Sequence, residues 1–263
     1  MQIGILGSMY IQDNCQQYPV NRNQVRVVLA LLALSCGEVV PIDHIVDELW
    51  QERPVKNARN ALQVVITRSR RFIEGLTGTP ADRLVRSSAQ GYFLDLPPAG
   101  VDCKRFDELA MDGTAQLKHF PETAIGLFER ALEEWRGEAL LDVDGGMRCR
   151  AEATRLAERQ RTVRKHLIES QLAVGREGDL VSELKLLTAE FPQDERLSEL
   201  LMLALYRTGR QSEALAEYQT IRSRLDVELG LEPGRSLRMI HQAILVQDQV
   251  LDMMPRSLSI ERV

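Results

Sequence analysis

Arg59, Asn60, Gln63, Thr67, Arg70 and Arg71 fall on one side of a helix read from Asn57, its N-cap, to about Glu74. Their chemistry is that of nucleic-acid recognition. Arg, Asn and Gln carry paired donors and acceptors that match guanine and adenine edges in the major groove. The stretch from Lys56 to Arg71 holds five basic residues and no acid. Cations grouped in this way engage phosphates locally without making the whole chain adhere to polyanions. The formal net charge of −5 argues against a non-specific polyanion binder, but it is unevenly spread. Residues 1–100 carry 10 Lys/Arg and 9 Asp/Glu, a balance of +1, whereas residues 101–263 carry 23 and 29, a balance of −6. The competing reading of the same residues is a solvated helix face followed by a structural hairpin.

Other chemistries lack their residues. No GxxxxGK[ST] loop and no GxSxG elbow occurs. His44, His119, His166 and His241 stand apart, without HExxH spacing or a neighbouring Cys pair. Asp142, Asp144 and Gly145-Gly146 resemble a fragment of a calcium loop, but the required spacing and terminal Glu are missing. Cys15, Cys36, Cys103 and Cys149 form no CxxC pair and read as reduced thiols of a cytosolic protein. No catalytic residue, metal or cofactor is expected; scattered carboxylates gathered by folding are the one route left to catalysis. The longest apolar run, Val27 to Leu34, is far short of the roughly 20 residues that span a bilayer. The start, Met-Gln-Ile-Gly-Ile-Leu-Gly, lacks a basic n-region and a cleavage site, so neither a membrane nor secretion is expected.

The elements that would position the polar helix face can be read in order. Gln2 to Ile11 looks like a strand pair or hairpin edge, with Gly4 and Gly7 as breakers. Arg22 to Ser35 reads as a buried helix ended by Gly37, Val39-Val40-Pro41 as an extended link, and Ile42 or Asp43 through Trp50 as a second helix. Pro54 breaks the chain before the third helix. There Ala58, Ala61, Leu62, Val65, Ser69, Phe72 and Ile73 make the core stripe behind the polar face. Leu84-Val85-Arg86 and Gly91-Tyr92-Phe93-Leu94 read as a hairpin with Ser87 to Gln90 near its tip. Three helices and a hairpin in that order make a winged helix, a helix-turn-helix variant. Pro97-Pro98-Ala99-Gly100 is the natural boundary.

Beyond Asp102 the chain reads as almost wholly helical, with an internal repeat. Gly175, Leu180, Leu184, Leu187 and Pro192 recur 34 positions later as Gly209, Ala214, Tyr218, Ile221 and Asp226. That period, with a turn glycine and bulky residues four apart, is the tetratricopeptide pattern. Leu167 and Leu201 match on the first helix of each unit, and Ala124, Phe128, Ala131 and Leu132 repeat the spacing out of period. Such helix pairs bury their apolar faces only by stacking, which leaves a concave surface for partners. The expected fold class is mixed: an α+β winged helix-turn-helix followed by an all-α tetratricopeptide-like domain.

These residues resemble the Streptomyces antibiotic regulatory protein family, over about residues 1–250. Leu49-Trp50, Arg59-Asn60-Ala61-Leu62-Gln63, Arg68-Ser69-Arg70-Arg71 and Gly91-Tyr92-Phe93-Leu94 look like its OmpR-type DNA-binding domain. Trp135-Arg136-Gly137, Leu201-Met202 and Ala204-Leu205-Tyr206-Arg207 look like its bacterial transcriptional activation domain. The most specific match there is Gly209-Arg210-Gln211-Ser212-Glu213-Ala214-Leu215, continued by Leu229-Gly230-Leu231-Glu232-Pro233. Two departures stand out: Ser69 where the family usually has an apolar residue, and Val55 where a second Pro is common. A hydroxyl facing the core there would forfeit packing of order 2 kcal/mol or more.

The resemblance implies a DNA-binding domain over 1–98, an activation domain over 99–252 and a tail over 253–263, in a small stand-alone member without the ATPase and sensor domains of larger ones. It also implies an activator of a secondary-metabolite (antibiotic) cluster, held on direct repeats as a homodimer in the cytoplasm. Arg59, Asn60, Gln63 and Thr67 would then touch base edges, while Lys56, Arg68, Arg70, Arg71 and Arg86 hold phosphates. Gln51, Glu52, Arg53, Pro54 and Val55 form the loop where OmpR-type domains can meet RNA polymerase, here including its primary sigma factor. A tetratricopeptide-type protein adaptor and a repressor on the same DNA-binding fold are the alternatives.

Overall fold

The computed structural model describes residues 1–50, 55–78, 80–249 and 251. The chain begins as an antiparallel meander of β1 (Gln2–Gly4), β2 (Tyr10–Asp13) and β3 (Gln16–Pro19), with Ile11 opposite both Ile3 and Tyr18. The sequence suggested only the first two strands. β3 reads Gln-Gln-Tyr-Pro, which has no apolar alternation to announce it. Its two-residue turn, Asn14-Cys15, takes positive φ at both positions (46° and 66°) without a glycine. Two positive φ values in a two-residue loop match the twist of a hairpin, and Asn tolerates them better than most residues.

The winged helix follows with the expected elements. α1 (Asn23–Leu34) is buried almost throughout, so its eight-residue apolar run is a core helix. β4 (Val40–Pro41) is more than an extended link, because it forms the edge of a second sheet. α2 (Ile42–Trp50) and α3 (Ala58–Thr77) come next, then β5 (Val85–Ser87) and β6 (Gly91–Leu94), in the sheet order β4-β6-β5. Gly91 faces Pro41 across the ladder, and a Cβ on it would collide with the Val40 carbonyl. Only glycine allows that approach.

α3 starts where Asn57 predicts. The Asn57 side chain accepts the backbone N–H of Asn60 at 3.1 Å, the usual role of an N-cap. The helix runs one turn past the expected end and stops at Gly78, whose φ of 64° is the left-handed C-cap conformation. Leu62, Val65, Ile66, Ser69 and Ile73 are buried, with Ala58, Ala61 and Phe72 half-buried beside them. Ile66 belongs to the core stripe although its neighbours in sequence did not mark it.

The remainder is helical: α4 (Asp102–Gln116), α5 (Pro121–Glu133), α6 (Met147–Ala173), α7 (Glu177–Glu190), α8 (Glu195–Arg207), α9 (Gln211–Leu229) and α10 (Arg235–Val246). By packing, the chain forms two compact units. One joins Met1–Met111 with Glu129–Thr162, and the other joins Asp112–Phe128 with Val163–Val263. Compactness therefore divides the chain differently from the proline-rich boundary in the sequence. Within the first unit, the buried Asp102 ties its two stretches together through Arg136. Asp102 accepts the backbone N–H groups of Ile5 and Leu6 at 2.8–3.0 Å and pairs with Arg136 at 2.8 Å.

In the second unit Leu180, Leu184, Leu200, Leu201, Ala214, Tyr218 and Ile221 share one apolar core with α10. Gly175 and Gly209 take φ of 79° and 76°, so the two turn glycines of the 34-residue repeat do the same job. The weak last match also has a cause. Pro192 follows the end of α7, whereas Asp226 has a backbone N–H to give, and α9 continues through it to Gly230. No helix among the described residues is long and apolar enough to cross a membrane.

Candidate nucleic-acid interface

α3 turns one face to solvent. Arg59, Asn60, Gln63, Thr67, Arg68 and Arg71 are all exposed, opposite the buried stripe, and Lys56 is exposed just before the helix. These positions follow the 3.6-residue period, so one helix surface gathers them. Thr67 donates its hydroxyl to the carbonyl of Gln63 at 2.8 Å, which leaves its oxygen free to accept. Arg59 approaches Asp43 of α2 at 3.9 Å with both side chains largely in water, a contact too loose to hold it.

Arg70 and Arg86 are placed differently from the other cations. Arg70 is half-buried, and its Nε and Nη2 both donate to the carbonyl of Val85 at 2.9 and 2.7 Å. Nη2 also reaches the Ser87 hydroxyl at 2.9 Å. This guanidinium fastens the wing to α3 and is largely committed to protein. The planar fork of Arg, unlike the point charge of Lys, suits such a double contact. Arg86 lies on the wing with its guanidinium 5.3 Å from the Phe93 ring centroid and paired to Asp95 at 2.8 Å. It remains more than half exposed. The wing turn is closed by Ser88, whose N–H donates to Gly91 O at 2.8 Å and whose hydroxyl accepts from Gly91 N at 3.1 Å.

Ser69 sits in the core with no exposed surface. Its hydroxyl donates to the carbonyl of Val65 at 3.0 Å, so the polar group is satisfied inside the helix instead of being stranded. Of the loop expected to meet polymerase, Val55 is exposed, while Gln51, Glu52, Arg53 and Pro54 lie outside the described residues, as does the 253–263 tail.

Three ties that sequence reading missed hold α1 and α2 from behind. Glu48 of α2, only 6% exposed, accepts the backbone N–H groups of Arg148 and Cys149 at 2.6 and 3.1 Å. It thus caps the N-terminus of α6, where a negative charge is favoured. Asp142 accepts from Met9 N and from Arg26 Nη1 on α1, both at 2.8 Å. Asn23 and Asp144 exchange a reciprocal pair of hydrogen bonds at 2.9 and 3.1 Å. The supposed calcium-loop fragment is therefore structural scaffolding. No group of three or more His, Cys, Asp or Glu suited to a metal occurs among the described residues. An acid inside an amphipathic helix whose partner lies 100 residues away leaves no local sign in the sequence. Burial raises both inner thiols, Cys103 to about 12 and Cys149 further with help from Glu48, so neither is a thiolate near neutral pH.

Comparison with known proteins agrees with this geometry. The family model described as "Transcriptional regulatory protein, C terminal" matches residues 19–94, and "Bacterial transcriptional activator domain" matches 101–245. Transcriptional regulator RedD of Streptomyces coelicolor is 40% identical over 252 residues, covering 95% of this chain and 72% of RedD. Regulatory protein DnrI of Streptomyces peucetius is 37% identical over 257 residues, covering 96% and 94% of the two chains. Among solved structures, Mycobacterium tuberculosis EmbR in complex with a low affinity phosphopeptide superposes with a TM-score of 0.90 at 28% identity. That match covers 97% of this chain and 68% of EmbR. These relatives are named as regulators of transcription and not as enzymes. The chain belongs to the Streptomyces antibiotic regulatory protein family of transcriptional activators, with a winged helix-turn-helix joined to a bacterial transcriptional activator domain.

Proposed function

We propose that the protein binds direct repeats beside a promoter and recruits RNA polymerase there, in the cytoplasm at the nucleoid, to switch on a secondary-metabolite (antibiotic) cluster. One observation carries the reading: the exposed polar face of α3 lies opposite a fully packed apolar stripe, so α3 can enter a major groove without unfolding anything. Arg59, Asn60, Gln63 and Thr67 read base edges. Lys56, Arg68 and Arg71 hold phosphates, and Arg86 adds a wing contact. Arg70 serves mainly by fixing the wing beside the recognition helix.

Residues 1–98 form the DNA-binding domain and 99–252 the activation domain, ahead of the 253–263 tail. Two protomers sit side by side about one helical turn apart. The segment 51–55 and the helical repeats meet polymerase and its primary sigma factor. Run-off transcription from a cognate promoter tests the proposal. A recruiter raises the transcript only when both repeats are present. A repressor on the same fold lowers it, and a protein adaptor leaves it unchanged at any salt concentration.

A further inference from the structure

Between the segment after β3 and the outer side of α3 lies a cavity of about 510 Å³. Val20, Val25 and Phe72 line it together with Arg22, Arg68 and Arg71. Val20 and Val25 are buried and Phe72 half-buried, so the apolar part belongs to the packed body of the winged helix. The three arginines are exposed, and no side-chain hydrogen bond or ion pair joins them to another described residue. Three arginines along the lining of one cavity favour an anion there, and each guanidinium has its full set of donors to give.

The size discriminates between occupants. A volume in the range of roughly 300–1,000 Å³ is that of small-molecule sites, and a lone phosphate would leave most of it empty. Apolar walls on one side with cations on the other fit a ligand that has both characters. A duplex backbone offers only its deoxyribose edges beside each phosphate, a smaller apolar body than an aromatic or alicyclic frame. We infer that this cavity binds a small organic anion, an aromatic or alicyclic frame bearing a carboxylate, sulfonate or phosphate group. Arg22, Arg68 and Arg71 take the anionic group, and the half-buried Phe72 takes the frame, with Val20 and Val25 packed beneath it.

Arg68 and Arg71 are also the residues assigned above to DNA phosphates. An occupant of the cavity therefore competes with the duplex for the same two cations. This consequence rests on the DNA-binding reading, whereas the anion site itself does not.

The test uses the full chain and the dye 8-anilinonaphthalene-1-sulfonate as the anion, with uncharged N-phenyl-1-naphthylamine as the same frame without charge. Saturable sulfonate binding is expected, weakened about fivefold or more by Arg22→Ala. The uncharged dye should bind the wild type correspondingly less well, and Phe72→Ala should weaken both dyes. Circular dichroism of each variant separates loss of a site from loss of fold, the Arg22 side chain being exposed and making no cap hydrogen bond. In a second arm, saturating sulfonate dye should raise the apparent Kd for duplex DNA. Sulfonate binding that is indifferent to Arg22→Ala, or equalled by the uncharged dye, overturns the inference. If Arg22→Ala instead weakens duplex binding and leaves the dye untouched, the cavity is a seat for a DNA phosphate. Should the chain bind no duplex at all, the dye titrations still decide the anion site.

Discussion

The carboxylate of Glu48, on α2, accepts the backbone N–H of Cys149, on α6, across 101 residues of chain. Together with its bond to Arg148 N at 2.6 Å, this makes one buried acid the cap of a 27-residue helix that starts in the other half of the sequence. α2 packs beside α3, so the start of α6 lies one helix away from the exposed polar face of α3. Gly146 leaves the room for this, since a Cβ there would lie 3.0 Å from the Glu48 carboxylate.

Glu48→Ala should cost about 1–2 kcal/mol of stability, the usual toll of a lost cap, read from the urea midpoint at constant m. Glu48→Gln, which keeps an acceptor but no charge, should fall between. Stability equal to wild type in Glu48→Ala would show that water replaces the carboxylate at no cost.

Arg70 and Arg71 are neighbours with different duties. Arg71→Ala should weaken binding to every duplex and flatten the log Kd against log salt slope by about one unit. Arg70→Ala should weaken binding while keeping that slope nearly unchanged, because its bonds go to Val85 and Ser87. Titrations at two or more salt concentrations separate the two effects.

Ser69 sits where the family usually has an apolar residue, but its hydroxyl is already paired to Val65 O. Ser69→Ala should therefore change stability by no more than about 0.5 kcal/mol, since it removes a mild competitor of the helix bond and opens little space. Ser69→Leu in this packed site should destabilise by about 1–3 kcal/mol. Paired denaturant curves check both values.

The four thiols should divide by burial. Cys103 and Cys149 have pKa values raised by burial, so the reactive thiolate is absent until strongly alkaline pH. Cys15 is exposed and should react first with a thiol-specific reagent at pH 8, Cys36 more slowly because burial raises its pKa too. Rapid reaction of all four in the native protein would mean the core opens readily.

Asp226→Pro tests the repeat. The substitution restores the proline of the first repeat unit but places it inside α9, and should cost about 3 kcal/mol or more. A loss of helical signal at 222 nm with an earlier thermal transition is the expected readout.

How much of this was legible in advance differs by element. α3 announced itself through a cap, a period and a glycine stop, all local, and its polar face followed from the same period. The helical repeats were legible because turn glycines recur at a fixed distance. β3 was not, because a polar strand paired on one edge carries no alternation, and its turn uses Asn and Cys where Gly is the usual signal. Arg70 looked like its neighbours from sequence alone. Only its distance to a carbonyl 15 residues away distinguishes a strut from a surface cation. Glu48, Asp102 and Asp142 stayed hidden for the same reason, since the partner of a buried acid is set by topology and not by spacing.

The proposed base reading by Arg59 and Gln63 of α3 can be checked by titrating wild type, Arg59→Ala and Gln63→Ala with a cognate direct-repeat duplex and a scrambled duplex of equal length. Each substitution should cost about 1–3 kcal/mol on the cognate duplex and much less on the scrambled one, so that the preference between them narrows. Equal losses on both duplexes, or none on either, would contradict a base-reading role for this face of α3.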